Sequence, residues 1–361
     1  MTSNEVVEFV NVGNREFGAA AVPFMGGAAT PFPGHLPTTV DRQDIRSTSV
    51  QSHLLAHTLR MTVRPVISMW AKASALPWPM KFLDDVSARV HPPIEGTRSH
   101  TILLDHCNAQ WLRADGADDD RVVLYLHGGG FMFCGVGTHQ RLVSRISAAA
   151  QAPVLMVDYR MLPDHSISDA VDDGVDGYRW LLAKGYRPDQ IVIAGDSAGG
   201  YLSFMVPLAI RAQGLPGPAG IVALSPLTEM DPARKTGHRN AGRDAMLPSN
   251  ALDELARISG LRDSRSASSR DRLRLCPVDS DLRGLPPVLI QVGSHELLLP
   301  DSELMADRLA EAGVPCELQV WRHQVHVFQA AADLVPEAQR AIEEVAYFIR
   351  TATPEPASAA H

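Results

Sequence analysis

Two glycine-rich strings constrain this chain more than any other feature. His127-Gly128-Gly129-Gly130-Phe131 and Gly195-Asp196-Ser197-Ala198-Gly199 each follow directly on an apolar run of β character, at 122–126 and 191–194. The second has the form of a strand-to-helix turn so tight that glycines must flank the serine, leaving its hydroxyl exposed above a sheet. The first supplies main-chain N–H groups that no side chain obstructs. Together with the N–H of the residue after the serine, such a loop can surround a carbonyl oxygen that turns negative during acyl transfer. With 27 Gly and 14 His in the chain, a His-Gly-Gly-Gly string is expected about 0.006 times by chance. A pair of unrelated glycine turns would require neither the serine between glycines nor a separate triple glycine.

Serine is a poor nucleophile unless a base takes its proton and an acid orients that base. The apolar run 288–293 ends in Gly293 and is followed by Glu296 and Asp301; the alternating run 316–321 is followed by His323 and His326. Acid and base candidates therefore fall just past strand ends, where open α/β sheets place their sites. Asp301 stands where a helix would begin, a position typical of capping acids. Among the histidines, His295, His323 and His326 compete as the base. The spacing of His323 and His326 also admits a metal pair, but no clustered Cys or His ligands accompany it. No cofactor or metal is expected.

The chain resembles the bacterial hormone-sensitive-lipase family of α/β-hydrolase esterases from about residue 101 to 350. Besides the two glycine motifs, the resemblance rests on Asp158-Tyr159-Arg160, on 281–287, on Glu311-Ala312-Gly313-Val314-Pro315 and on His326-Val327-Phe328. It implies Ser197 as nucleophile, His326 as general base, and the N–H groups of Gly128, Gly129 and Ala198 as oxyanion donors. Where the family carries Asp-Pro-Leu, this chain has Glu296-Leu297-Leu298, so Glu296 is the expected acid and Asp301 the fallback. Asp196 is expected to tie neighbouring loops by accepting backbone hydrogen bonds. The implied activity is hydrolysis of short- to medium-chain acyl esters through an acyl-enzyme. An amidase or formamidase would use the same residues, and a non-catalytic receptor on this fold would lack one of them.

Strands alternating with helical patterns predict a mostly parallel central sheet with helices on both faces and a helical cap. Residues 1–98 are read as an N-terminal arm, irregular to about residue 50, followed by cap helices. Residues 99–351 form the catalytic domain with a cap insertion at about 227–264, the stretch 257–274 reads as a solvated loop, and 352–361 as a disordered tail. The apolar stretch 53–90 carries Arg60, Arg64, Lys72 and Lys81, too polar for a bilayer crossing. It reads as cap helices over the acyl pocket, with peripheral lipid contact as the other reading. A net charge of −8 speaks against nucleic acid, and the partner expected is a small-molecule ester, with a homodimer conceivable. Four scattered cysteines and an acidic N-terminus point to a reduced, cytoplasmic setting.

Overall fold

The computed structural model describes residues 40–265 and 276–354, with no side-chain description for Met80 and 261–265. The N-terminal arm to residue 39, the second half of the arginine-rich stretch and most of the expected tail lie outside these residues.

Nine strands form one sheet: β1 (Asp41–Ile45), β2 (Arg98–Leu103), β3 (Asn108–Arg113), β4 (Val122–Leu126), β5 (Val154–Asp158), β6 (Ile191–Asp196), β7 (Gly220–Leu224), β8 (Val288–Gly293) and β9 (Cys316–Trp321). Their order is β1-β9-β8-β7-β6-β4-β5-β3-β2, parallel throughout except where β3 runs against β2 and β5. In β4 the period of two assigns Val122, Leu124 and Leu126 to one core and Val123 and Tyr125 to the other, so both faces are covered. Helices α4 (Val136–Ala150) and α10 (Pro336–Ala352) cover one face; α5 (Ile167–Lys184), α6 (Ala198–Ala212) and α9 (Leu299–Glu311) cover the other.

The remaining helices are α1 (Val50–Met61), α2 (Val63–Lys72) and α3 (Met80–Val90), with α7 (Ala233–Thr236) and α8 (Ser249–Arg265) inside the predicted insertion. Asn250 of α8 donates to the Ser68 carbonyl of α2 at 3.1 Å, and Ser74 donates to Glu254, so the two segments are joined.

Three expectations need correction. Asp41–Ile45 is a strand, not irregular arm: it pairs in register with β9 from Asp41↔Glu317 to Ile45↔Trp321. Its sequence DRQDI is polar and nearly all exposed, so backbone pairing with β9, helped by Arg42 on Glu303 of α9 at 2.7 Å and by the half-buried Ile45, sets it in the sheet, and it shows no alternation to read. Residues 257–265 belong to α8 rather than to a solvated loop. At the other end, Ala352 and Thr353 are buried, Thr353 Oγ1 donating to the Ile349 carbonyl, so the folded chain extends past the predicted boundary.

Candidate active site

The turn after β6 puts Ser197 at φ 54° and ψ −115°, a left-handed conformation that a side chain tolerates only when the surroundings enforce it. The enforcement is local. Ser197 N donates to the Leu224 carbonyl at 2.8 Å, and Leu227 N donates to the Ser197 carbonyl at 3.0 Å. A Cβ on Gly199 would collide with the Leu126 carbonyl, and one on Gly195 with the Gly199 carbonyl, which is why glycine stands on both sides.

Glu296 and His326 meet each other. His326 Nδ1 lies 2.9 Å from Glu296 Oε2, and both side chains are buried. The other carboxylate oxygen accepts from Ser225 Oγ at 2.8 Å and from Gly293 N at 2.5 Å. Burial raises the Glu296 carboxyl above its ordinary range, against the opposing hydrogen bond and charge of His326. Burial alone would lower the His326 imidazole; the hydrogen bond and charge of Glu296 outweigh it and raise the imidazole instead. Asp301 is elsewhere. Its carboxylate is 3.0 Å from Lys235 Nζ and accepts from the N–H groups of Thr228 and Glu229. His323 is also apart from the pair, its ring set edge-on to His295 with centroids 4.3 Å apart.

Asp196 does what its position suggested, and more. Oδ1 accepts from Tyr125 Oη at 2.8 Å and from Gly128 N at 3.1 Å, while His139 Nε2 lies 3.2 Å from Oδ2. Burial opposes its ionisation, but the His139 charge and hydrogen bond and the Tyr125 hydroxyl hold it below the usual carboxylate range. Tyr159 Oη donates to the His127 carbonyl at 2.7 Å and its ring stacks on the His127 imidazole at 4.2 Å. His127 is thus an anchor of the loop, and burial lowers its imidazole to about 4.

These bonds revise one expected residue. The Gly128 N–H is already spent on Asp196, and it is Gly129 and Gly130, at φ 115° and 59°, that line the cavity. A Cβ on Gly129 would strike the Phe133 carbonyl. The triple glycine is locally uniform, and only the three-dimensional path of the loop tells the second and third residues from the first.

Beside them lies a cavity of about 670 Å³, lined by Ser197, His326, Gly129 and Gly130 and by apolar side chains that include those of α1, α2, α3 and α8. Trp70 of α2 stands edge-on to Phe133 at 4.7 Å along its wall. No hydrogen bond joins Ser197 Oγ to His326 among the described residues; in unliganded hydrolases this contact is often long and closes with substrate. Cys134 also borders the cavity, but burial pushes its thiol up to about 12, which leaves it protonated and unreactive.

Sequence reasoning missed two residues that hold the acid. Ser225, at φ 47°, bridges Glu296 and the N–H of Val327, next to His326. Asn240 donates through Nδ2 to the carbonyls of Ser294 and Glu296 at 3.0 and 2.8 Å. Ser225-Pro226 directly after the apolar β7 run was the available signal for the first; Asn240 sits in a short 3-10 turn, Arg239–Gly242, whose sequence carries none.

Residues 123–330 match the family model described as alpha/beta hydrolase fold. Among curated proteins, a carboxylesterase/phospholipase, LipF, of Mycobacterium tuberculosis is 45% identical over 312 residues, covering 84% of this chain and 83% of its own. The esterase LipU of the same organism is 44% identical over 298 residues, 81% of this chain and all of its own. A crystal structure of an esterase from the bacterial hormone-sensitive lipase family superposes with a TM-score of 0.74 at 33% identity, covering 85% of this chain and 100% of that one. The chain belongs to the hormone-sensitive-lipase-like esterases of α/β-hydrolase fold. In this chain Glu296 reaches the His326 imidazole from a loop that begins at Gly293.

Proposed function

We propose that this esterase hydrolyses short- to medium-chain acyl esters through a Ser197-bound acyl-enzyme, with His326 as general base and Glu296 as its orienting acid. The observation that carries the reading is the buried His326–Glu296 contact on the same cavity as a serine held at positive φ. Glu296 fixes the tautomer by accepting from Nδ1, which leaves Nε2 to take the serine proton and later return it to the leaving alcohol. The hydroxyl oxygen bonds to the ester carbon as that proton leaves, and the alkoxide departs with it; water then repeats the sequence to release the acid.

The N–H groups of Gly129, Gly130 and Ala198 are the proposed oxyanion donors. The first two donate to no other group among the described residues, and Ala198 opens α6, where first-turn N–H groups are unpaired and the helix dipole favours negative charge. Helices α1–α3 with 227–264 act as the cap. The size and apolar lining of the cavity suit an acyl chain rather than a charged ligand. Relatives bearing carboxylesterase names support the activity, and one similar structure, 32% identical, was soaked with p-nitrophenyl butyrate. The test is labelling with a fluorophosphonate followed by peptide mapping. Modification at Ser197, absent in Ser197→Ala, is expected; labelling elsewhere, or p-nitrophenyl butyrate turnover by folded Ser197→Ala, would overturn the reading.

A further inference from the structure

Helix α3 presents a stripe of apolar side chains to solvent. On its half-buried side the Asp84 carboxylate accepts from the N–H groups of Gly137 and Thr138 at the start of α4. Its outer side carries Phe82, Leu83, Val86 and Val90, at i, i+1, i+4 and i+8, with exposures of 64%, 52%, 37% and 63%. A helix facing only water would show the reverse pattern. Nor is the stripe isolated: ten of the thirteen large exposed apolar side chains among the described residues lie between Val50 and Val90. Val66, Leu83 and Leu334 are at once exposed and part of the cavity wall, so the cavity opens onto this surface.

Charge selects the occupant. Residues 50–90 hold five basic side chains against two acidic ones, a local surplus of three positive charges in a chain of net −8. Lys72, Lys81 and Arg89 are exposed along these helices. A second copy presenting the same basic face would be repelled, whereas an anionic lipid surface would attract this face and repel the rest of the molecule.

We propose that the outer faces of α1–α3 dock on anionic lipid–water interfaces, with the α3 stripe as the inserting element and the cavity mouth turned to the lipid. An apolar ester could then pass from the interface to Ser197 without crossing bulk water. In that step alone the inference rests on the catalytic reading; the docking itself does not.

The test is co-sedimentation of the full chain with phosphatidylcholine vesicles, with and without phosphatidylglycerol, at low and high salt. Binding to the anionic vesicles, weakened by salt, is expected. Phe82→Ser with Val86→Ser should weaken vesicle partition by about tenfold or more while turnover of dissolved p-nitrophenyl butyrate is unchanged. Lys81→Glu, a second variant that leaves the stripe intact, should weaken it about tenfold as well. Equal binding by wild type and both variants would overturn the proposal. So would a wild-type dimer, seen by sedimentation velocity, that the serine variant converts to monomer with no vesicle binding in either. Binding that appears only when residues 1–39 are removed would assign the stripe to that segment instead. Vesicle binding is read without turnover, so failure of fluorophosphonate labelling at Ser197 would strike the catalytic reading and leave the docking result standing.

Discussion

Asp301 lies only five residues beyond Glu296 in the chain, yet its carboxylate is paired with Lys235 at 3.0 Å in full burial and has no contact with His326. Two acids competing for one role on sequence grounds thus have separable tasks. Lys235 also donates to the carbonyls of Glu229 and Asp231, so the pair pins the start of the 227–264 segment to the first turn of α9. Asp301→Asn leaves a buried ammonium without its counter-charge and should cost about 3–5 kcal/mol in denaturant unfolding. The catalytic constants of the folded fraction should stay within about an order of magnitude. Glu296→Gln should do the opposite, lowering kcat by about 10²–10⁴-fold with a smaller stability change. A greater kcat loss for Asp301→Asn would reassign the acid.

The acid limb of the pH profile follows from the raised His326 imidazole. The base works only when neutral, so kcat/KM should rise with pH through a midpoint above the ordinary histidine value of about 6.5. Glu296→Gln removes the charge that raises it and leaves the burial that lowers it, so the midpoint of the residual activity should move to more acidic pH. A midpoint that stays put in the variant would mean that Glu296 does not govern the base.

Ser225 bridges acid and base from a third element and should act as a positioning residue. Ser225→Ala removes a hydrogen bond to a carboxylate, worth about 1.5–3 kcal/mol, and should lower kcat by about 10- to 100-fold with little change in KM. A purely structural role would lower the yield of folded protein and leave kcat and the acid limb untouched.

Asp196 sets the loop that precedes the proposed oxyanion donors. Asp196→Ala removes the carboxylate that accepts from the Gly128 N–H and lies 3.2 Å from His139 Nε2. The donors at Gly129 and Gly130 then lose their fixed aim, and kcat should fall by about 10²-fold while fluorophosphonate labelling slows in parallel. Unchanged labelling kinetics would show that the loop holds its shape without the carboxylate.

Trp70 and Phe133 close one wall of the cavity. Trp70→Ala should shift the optimum of a p-nitrophenyl ester series toward longer acyl chains by opening that wall, at an unfolding cost of about 3 kcal/mol. An unaltered preference would place the acyl chain on another wall.

Much of this was legible in the residues because turn chemistry leaves little choice. A serine between glycines after a buried strand has one favourable geometry, and the strands that lead to the site read either as largely apolar runs, at β6 and β8, or as an alternating one, at β9. What escaped reading was set by long-range contacts. The DRQDI strand is defined by a neighbour more than 270 residues away, and Gly128 differs from Gly129 only through a carboxylate contributed by another strand end. Asn240 and Ser225 serve the acid through single hydrogen bonds that no periodicity announces.

The strand at 41–45 bears on how the protein can be produced. It occupies the flank of β9, the strand whose far end leads into the His323–His326 turn, and the Arg322 N–H donates to the Ile45 carbonyl at 2.9 Å. A chain shortened to begin at Val50 would keep every residue of the cavity, yet bare the main-chain hydrogen-bonding groups of β9 to other molecules. Such open borders recruit foreign strands, so the shortened enzyme should self-associate during expression and concentration.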